Sequence, residues 1–202
     1  MKKLLLLAFV LVAFVGSTLA QEYPIDKASM IIGGTAMFAN MSGDLYEIGD
    51  ESLSLISITP SFGFFVAPGL LIGADFTYSS LSMGEVDMSA FGIGPVVGYY
   101  FNLNPTRTEA KGAVYPYVKG FFQYASMSIE YEDESVDATM TSFGGRGGFV
   151  FMLSNAVALD IGVQFNSDSY EPDEAFEDPD LPSESVDGTR LQVGAGIIAF
   201  LW

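Results

Sequence analysis

Apolar and polar residues alternate along most of this chain with a period of two, the period of a β-strand whose faces meet different surroundings. In 157–166 the odd positions Val157, Leu159, Ile161, Val163 and Phe165 are all large and apolar. In 72–79 the even positions Ile72, Ala74, Phe76 and Tyr78 are apolar or aromatic, and the odd ones are small or polar. Ile56, Ile58, Pro60, Phe62, Phe64 and Val66 share one face of another run, opposite Ser57, Thr59, Ser61 and Gly63. Phe91, Ile93, Pro95, Val97, Tyr99 and Phe101 do the same against Gly92, Gly94 and Gly98. The pattern predicts eight strands, over 29–41, 53–66, 71–82, 89–101, 114–131, 138–152, 156–167 and 188–202. None of this stretch shows a sustained helical period or an apolar run long enough for a membrane-spanning helix.

The connectors alternate in kind. Ala67-Pro68-Gly69, 102–113 and Leu153-Ser154-Asn155 carry few acids. The connectors 42–52, 83–88, 132–137 and 168–187 hold 19 of the 25 acidic residues and no Lys or Arg. An up-and-down strand order sends alternate connectors to opposite ends, so one end is nearly uncharged and the other strongly negative.

The first twenty residues follow a different rule. Met1-Lys2-Lys3 is positive, 4–15 is continuously apolar, and Gly16-Ser17-Thr18-Leu19-Ala20 closes the segment with small residues. This is the three-part form of a secretory signal peptide with cleavage after Ala20. Its apolar run is too short to span a bilayer. Removing 1–20 takes away two lysines and no acids, so the formal charge of −17 becomes −19 and the expected mature domain is 21–202.

Composition then excludes most chemistry. The 202 residues include no Cys and no His. Disulfides, thiolate metal sites and thiol catalysis are ruled out, and so are Ser-His and Cys-His nucleophile pairs. With only 8 basic residues there is no patch to neutralise phosphates, so nucleic acid is excluded as a partner.

Eight alternating antiparallel strands suit either a soluble lipocalin-like barrel or a transmembrane barrel, which inverts the two faces. The polar faces here are mostly Gly, Ser, Thr, Ala and Asn, with very few charges. A water-facing exterior would carry Lys and Glu, whereas small residues suit a narrow interior. An all-β, eight-stranded, antiparallel up-and-down transmembrane barrel is therefore predicted, with Phe62, Phe64, Phe76, Val97, Leu159, Ile161 and Val163 among the lipid-facing side chains.

The chain stops at Trp202, with Phe200 and Ile198 at alternate positions before it. That ending resembles the signal read by the outer-membrane barrel assembly machinery. Leu191, Val193, Ala195 and Ile197 alternate in the opposite phase, against Arg190 and Gln192, and a bulge near Gly194 or Gly196 would reconcile the two. The run from Ile93-Gly94-Pro95 to Tyr99-Tyr100-Phe101, and the hairpin of 147–153 with 155–159, complete a resemblance. The chain resembles the small outer-membrane β-barrel family, the OmpX- and OmpA-barrel-like proteins of Gram-negative bacteria. The resemblance implies the outer membrane as location, its lipid as the surrounding phase, and the assembly machinery as a partner through Ile198, Phe200 and Trp202. It covers the whole mature chain, and no activity transfers with it by residue.

The barrel enzymes of this size that such chains resemble rest on His with Ser or acids. A Ser-Lys or paired-carboxylate mechanism is the alternative left, and Lys119, the lumenal lysine, has no distinctive serine motif beside it. Neither an enzyme nor a cofactor is therefore expected. The glycine pairs 33–34, 144–145 and 147–148 lie within strands, where they read as lumen fillers, bulges or shielded sites rather than phosphate cradles. Two functional readings remain. In one, a structural or surface-interaction barrel works through its acidic loops; in the other, a narrow channel or small-ligand barrel works through its lumen. An interior this narrow is filled by side chains, which disfavours a general porin.

Few charges lie on the non-lipid face within strands: Asp75, Lys119, Arg146, Asp160 and, phase permitting, Arg190. Their near balance in so acidic a chain points to a structural ion-pair network, with Arg146 and Asp160 the nearest neighbours. In 168–187, the nine acids include Asp173, Glu174, Glu177, Asp178 and Asp180. They form a candidate weak divalent-cation loop, without the fixed spacing of an EF-hand and so with no specific metal site.

Overall fold

A strand in hydrocarbon has no water to satisfy its backbone, so an all-β chain can cross a bilayer only as a closed sheet. The computed structural model, which describes residues 24–42, 54–83, 86–105, 109–131, 134–172 and 186–202, has this form. Its strands are β1 (Met30–Ser42), β2 (Ser54–Ala67), β3 (Leu70–Met83), β4 (Val86–Tyr100), β5 (Val114–Tyr131), β6 (Glu134–Met152), β7 (Val157–Pro172) and β8 (Val186–Leu201). Each pairs antiparallel with the next, and β8 pairs with β1 from Met30↔Leu201 to Ser42↔Thr189. The strands run from 13 to 19 residues, more than the ~9–11 that a tilted strand needs to cross.

The period-two pattern sorts the side chains cleanly. Ile32, Phe38, Ile58, Phe62, Ile72, Phe76, Ile93, Val97, Phe122, Phe149, Ile161, Val163, Leu191 and Val193 stand on the outside. Phe64 and Leu159 share that face, half-buried against neighbouring side chains. Thr35, Ser57, Thr59, Ser79, Gln123, Ser142 and Gln192 are buried within.

The two ends differ. At the short-turn end, Pro68-Gly69 and 153–156 join strands, and Gly69 takes the positive φ of 75° that its turn requires. There buried aromatic and aliphatic side chains occupy the lumen. Phe65 lies edge-on to Tyr100 and stacked beside Phe200, and Tyr100 stacks on Tyr117. Ile31, Leu71, Tyr115, Val150 and Met152 complete the cluster. Two segments outside the strands close over it. Ile25 is buried in the same cluster and its carbonyl accepts a 2.8 Å hydrogen bond from the Gly69 N–H. Ala110 and Ala113 cover the other side, where the Gly112 N–H donates to the Met152 carbonyl and the Met152 N–H to the Ala113 carbonyl.

Three expectations need correction. The acidic connectors 83–88 and 132–137 are largely strand: β3 reaches Met83, β4 begins at Val86, β5 reaches Tyr131 and β6 begins at Glu134. Cross-strand pairing carries these ribbons past the apolar belt, where polar residues tolerate strand geometry. Next, β8 holds one phase throughout, in register with β1 and β7 without a break, so there is no bulge at Gly194 or Gly196. Ile198 and Phe200 therefore point inward, into the apolar cluster, while Leu201 faces out and Trp202 packs against the cluster from the end. Their apolar character belongs to the plugged end of the lumen rather than to the lipid face. Last, the lumen is not filled by small residues alone, since its short-turn third is aromatic.

The two faces treat glycine differently. A Cβ at Gly94 would press on the Phe122 carbonyl oxygen and the Gln123 backbone, whereas one at outward Gly145 would meet nothing closer than 3.5 Å. Gly94→Ala is expected to destabilise by about 1–3 kcal/mol. Gly145→Ala should be neutral or stabilising by up to about 1 kcal/mol. Urea unfolding in lipid vesicles measures both, and equal losses at the two sites would contradict this assignment of faces.

Candidate functional site: the ionic lumen

Inward positions are odd on β1, β2, β3 and β5 and even on β4, β6, β7 and β8. Among strand residues whose side chains are described, the charged ones facing inward are Asp75, Lys119, Arg146, Asp160, Asp168 and Arg190. Positive and negative are equal in number, although the whole chain is −17. Burying a charge in a narrow lumen is tolerable only with a partner and hydrogen bonds, which explains why acids gather elsewhere.

Lys119 and Arg146 sit directly opposite each other on β5 and β6, a placement that repels like charges. Each leans away. Arg146 reaches down the lumen, and its Nη2 lies 2.8 Å from Asp160 Oδ2. Asp160 also accepts a 2.8 Å hydrogen bond from the Tyr117 hydroxyl and a 3.4 Å one from Thr35. Arg146 Nε in turn donates to Tyr117 Oη at 2.7 Å. Lys119 turns toward the faces of Tyr100 and Tyr117, with Nζ 5.6 and 5.0 Å from the ring centroids, a cation–π arrangement.

The Arg146–Asp160 contact is a diagonal. In the β6–β7 register Arg146 faces Gln164 and Asp160 faces Val150, and the pair Gly148↔Gly162 lies between. A Cβ on Gly162 would collide with the Tyr117 hydroxyl and with Arg146 Nε. These two glycines therefore open the corridor through which the guanidinium and the phenol reach the carboxylate.

A second ion pair lies toward the long-connector end. Arg190 Nε and Nη2 donate to Asp168 Oδ2 and Oδ1 at 2.6 and 2.9 Å, a two-point contact of the kind that guanidinium geometry favours. Ser142 donates its hydroxyl to Asp168 as well. Between the two pairs runs a belt of hydroxyls and amides that also holds Asp75. Gln123 Nε2 donates to Thr77 Oγ1 at 2.7 Å, Thr59 and Thr77 hydroxyls are 3.2 Å apart, and Gln164 donates to Gln192 at 3.1 Å.

All five lumen candidates named from sequence thus share the interior, but they do not form one network. Arg146 meets Asp160, whereas Arg190 meets Asp168, which sequence reasoning assigned to an acidic connector. Lys119 and Asp75 have no ion pair among the described residues, and Asp75 Oδ1 is buried with no hydrogen-bond partner. Asp168 was hidden among nine acids, yet its even spacing from Asp160 was the available signal. Tyr117 carried none, because its alternation marks a face and not a hydroxyl's partner. The loop acids Asp173, Glu174, Glu177, Asp178 and Asp180 lie outside the described residues. Among the described residues no three acidic side chains converge as a metal site would need.

A buried aromatic cluster at one end, an ionic lumen and an apolar outer belt on a closed eight-stranded sheet are the features of a small outer-membrane barrel. The outer membrane protein beta-barrel domain matches the chain over residues 5–198, and the chain belongs to that family. Its place is accordingly the Gram-negative outer membrane. Among solved structures it is similar to Neisserial surface protein A, with 17% identity and a TM-score of 0.63 over 84% of this chain and 96% of that one. It is also similar to Ail, the attachment invasion locus protein of Yersinia pestis, with 13% identity and a TM-score of 0.50 over 84% and 97%. At such identities the likeness is one of fold. No curated protein matches the chain in sequence.

The diagonal pair makes a direct prediction. Arg146→Ala strands the Asp160 carboxylate in the lumen and should destabilise by about 3–5 kcal/mol. Arg146→Ala combined with Asp160→Ala should cost less than the two single losses added together. A double-mutant cycle from urea unfolding in vesicles gives the answer, and strict additivity would mean that the two side chains act independently.

Proposed function

We propose that the protein is a sealed structural barrel that presents acidic loops at the cell surface, with a role in surface interaction rather than catalysis or diffusion. The observation that carries this reading is the packed end of the lumen. Phe65, Tyr100, Tyr115, Tyr117 and Phe200 are each no more than 2% exposed, which supports a lumen closed at this end. Behind this plug, Arg146 and Asp160 are committed to each other. A barrel closed in this way does its work where its connectors meet the outside.

Orientation follows the same logic. The acid-rich connectors belong outside the cell, and the short turns and both termini face the periplasm. There the acids meet a phosphate-rich leaflet, and divalent cations held weakly by Asp173, Glu174, Glu177, Asp178 and Asp180 bridge the two negative surfaces. Residues 1–20 serve as the export signal, removed after Ala20. The assembly machinery reads the last strand at Ile198, Phe200 and Trp202. An enzymatic role lacks support, because Lys119, the one lysine in the lumen's described part, is held over tyrosine rings.

Planar-bilayer recording separates this reading from a lumenal channel. The folded protein, recognised by its altered migration in SDS without heating, should give no resolved steps of current at either polarity. Stable, ion-selective steps would overturn the sealed-barrel proposal and favour a narrow channel.

A further inference from the structure

The lumen's charges are not all spoken for. Arg146 and Asp160 form one pair, and Arg190 and Asp168 the other. Lys119 spends its charge on the faces of Tyr100 and Tyr117. Asp75 is left facing a small recess in the polar belt, with Oδ1 buried and no donor directed at it. That recess is lined by Thr59, Asp75, Thr77, Gln123 and Gln164, with Gly94, Phe121 and Phe122 at its wall, and has room for one water-sized occupant.

Its donors suit a cation. Gln123 and Gln164 have committed an amide N–H, to Thr77 and Gln192 respectively, and their carbonyl oxygens accept no hydrogen bond from any described residue. The Thr59 and Thr77 hydroxyls, 3.2 Å apart, add two more oxygens. One carboxylate with neutral oxygens is the ligand set of a singly charged hard ion. Ca²⁺ takes about six to eight oxygen ligands, and Mg²⁺ keeps several of its waters, more than a recess with room for one water-sized occupant provides. Asp75 is the only acid among the described residues that line the recess.

We propose that the recess at Asp75 is a binding site for a monovalent inorganic cation of about the size of Na⁺, seated by the Asp75 carboxylate and by oxygens of Thr59, Thr77, Gln123 and Gln164. The ion supplies the partner that Asp75 lacks and ties β2, β3, β5 and β7 together across the lumen.

The test is ²³Na line broadening on the folded full chain in detergent, at constant ionic strength with tetramethylammonium chloride, which is too large to enter. The wild type should show a saturable broadening that K⁺ or Li⁺ competes away. Asp75→Asn keeps the shape and every loop acid, and should lose that saturable part while remaining heat-modifiable in SDS. If Asp75→Asn does not fold, Thr77→Val keeps the carboxylate, removes one oxygen, and should weaken Na⁺ binding several-fold. Broadening that is unchanged in the folded variant would place the Na⁺ on the loops and overturn the proposal. No saturable component in the wild type would overturn it as well, leaving water as the occupant.

Discussion

The structure rests on the backbone's need for hydrogen bonds in a medium that offers none. Every strand must find a neighbour on both sides, and the only way for eight strands to do so is for β8 to meet β1. Closure then fixes the facing of every side chain, because a slip of one residue in any pairing would turn that strand's apolar set inward. The registers around the barrel run without slips apart from one irregularity at Phe65–Ala67, beside the Pro68-Gly69 turn. The exception sits where the sheet leaves the membrane region and a local kink has no lipid to offend.

A closed sheet of this size leaves an interior that must be filled, and the filling is graded along the axis. Aromatic and aliphatic side chains occupy the short-turn end, a charged layer follows, then a belt of hydroxyls and amides, and then the Arg190–Asp168 pair. The charged layer is the delicate part. Setting Lys119 opposite Arg146 would repel, and the arrangement works because each cation has somewhere else to go. Lys119 lies back on tyrosine faces. Arg146 passes over Gly148 and Gly162, whose missing side chains make space for it. Those glycines belong to the ion pair as much as the charged residues do.

Much of this was legible in the sequence, and the limits have physical causes. The eight strands, their order and the lipid face follow from period-two alternation, which reports burial directly. Strand ends were placed short on the acidic side, since 83–88 and 132–137 look like loops by composition although cross-strand pairing continues through them. The last strand misled because both of its faces are apolar near Ile198 and Phe200, so hydrophobicity there no longer distinguishes lipid from plug. Within the lumen, the inward charges could be named from phase, but their partners could not. Arg146 reaches Asp160 across four residues of register offset, and that reach depends on two glycines and a tyrosine hydroxyl rather than on proximity in the ladder.

The central claim is that one inside–outside phase runs unbroken through the whole barrel, including the strand that closes it. Site-directed spin labelling along 190–200, in a chain that has no native cysteine to compete, tests it most directly. In bilayers, labels at Leu191, Val193, Ala195 and Ile197 should be highly accessible to lipid-soluble oxygen. Labels at Gln192, Ile198 and Phe200 should be shielded from it, with the alternation continuous from one end to the other. A reversal of phase at Gly194–Gly196, with Ile198 and Phe200 turned to lipid, would contradict both the unbroken register and the apolar cluster built upon it.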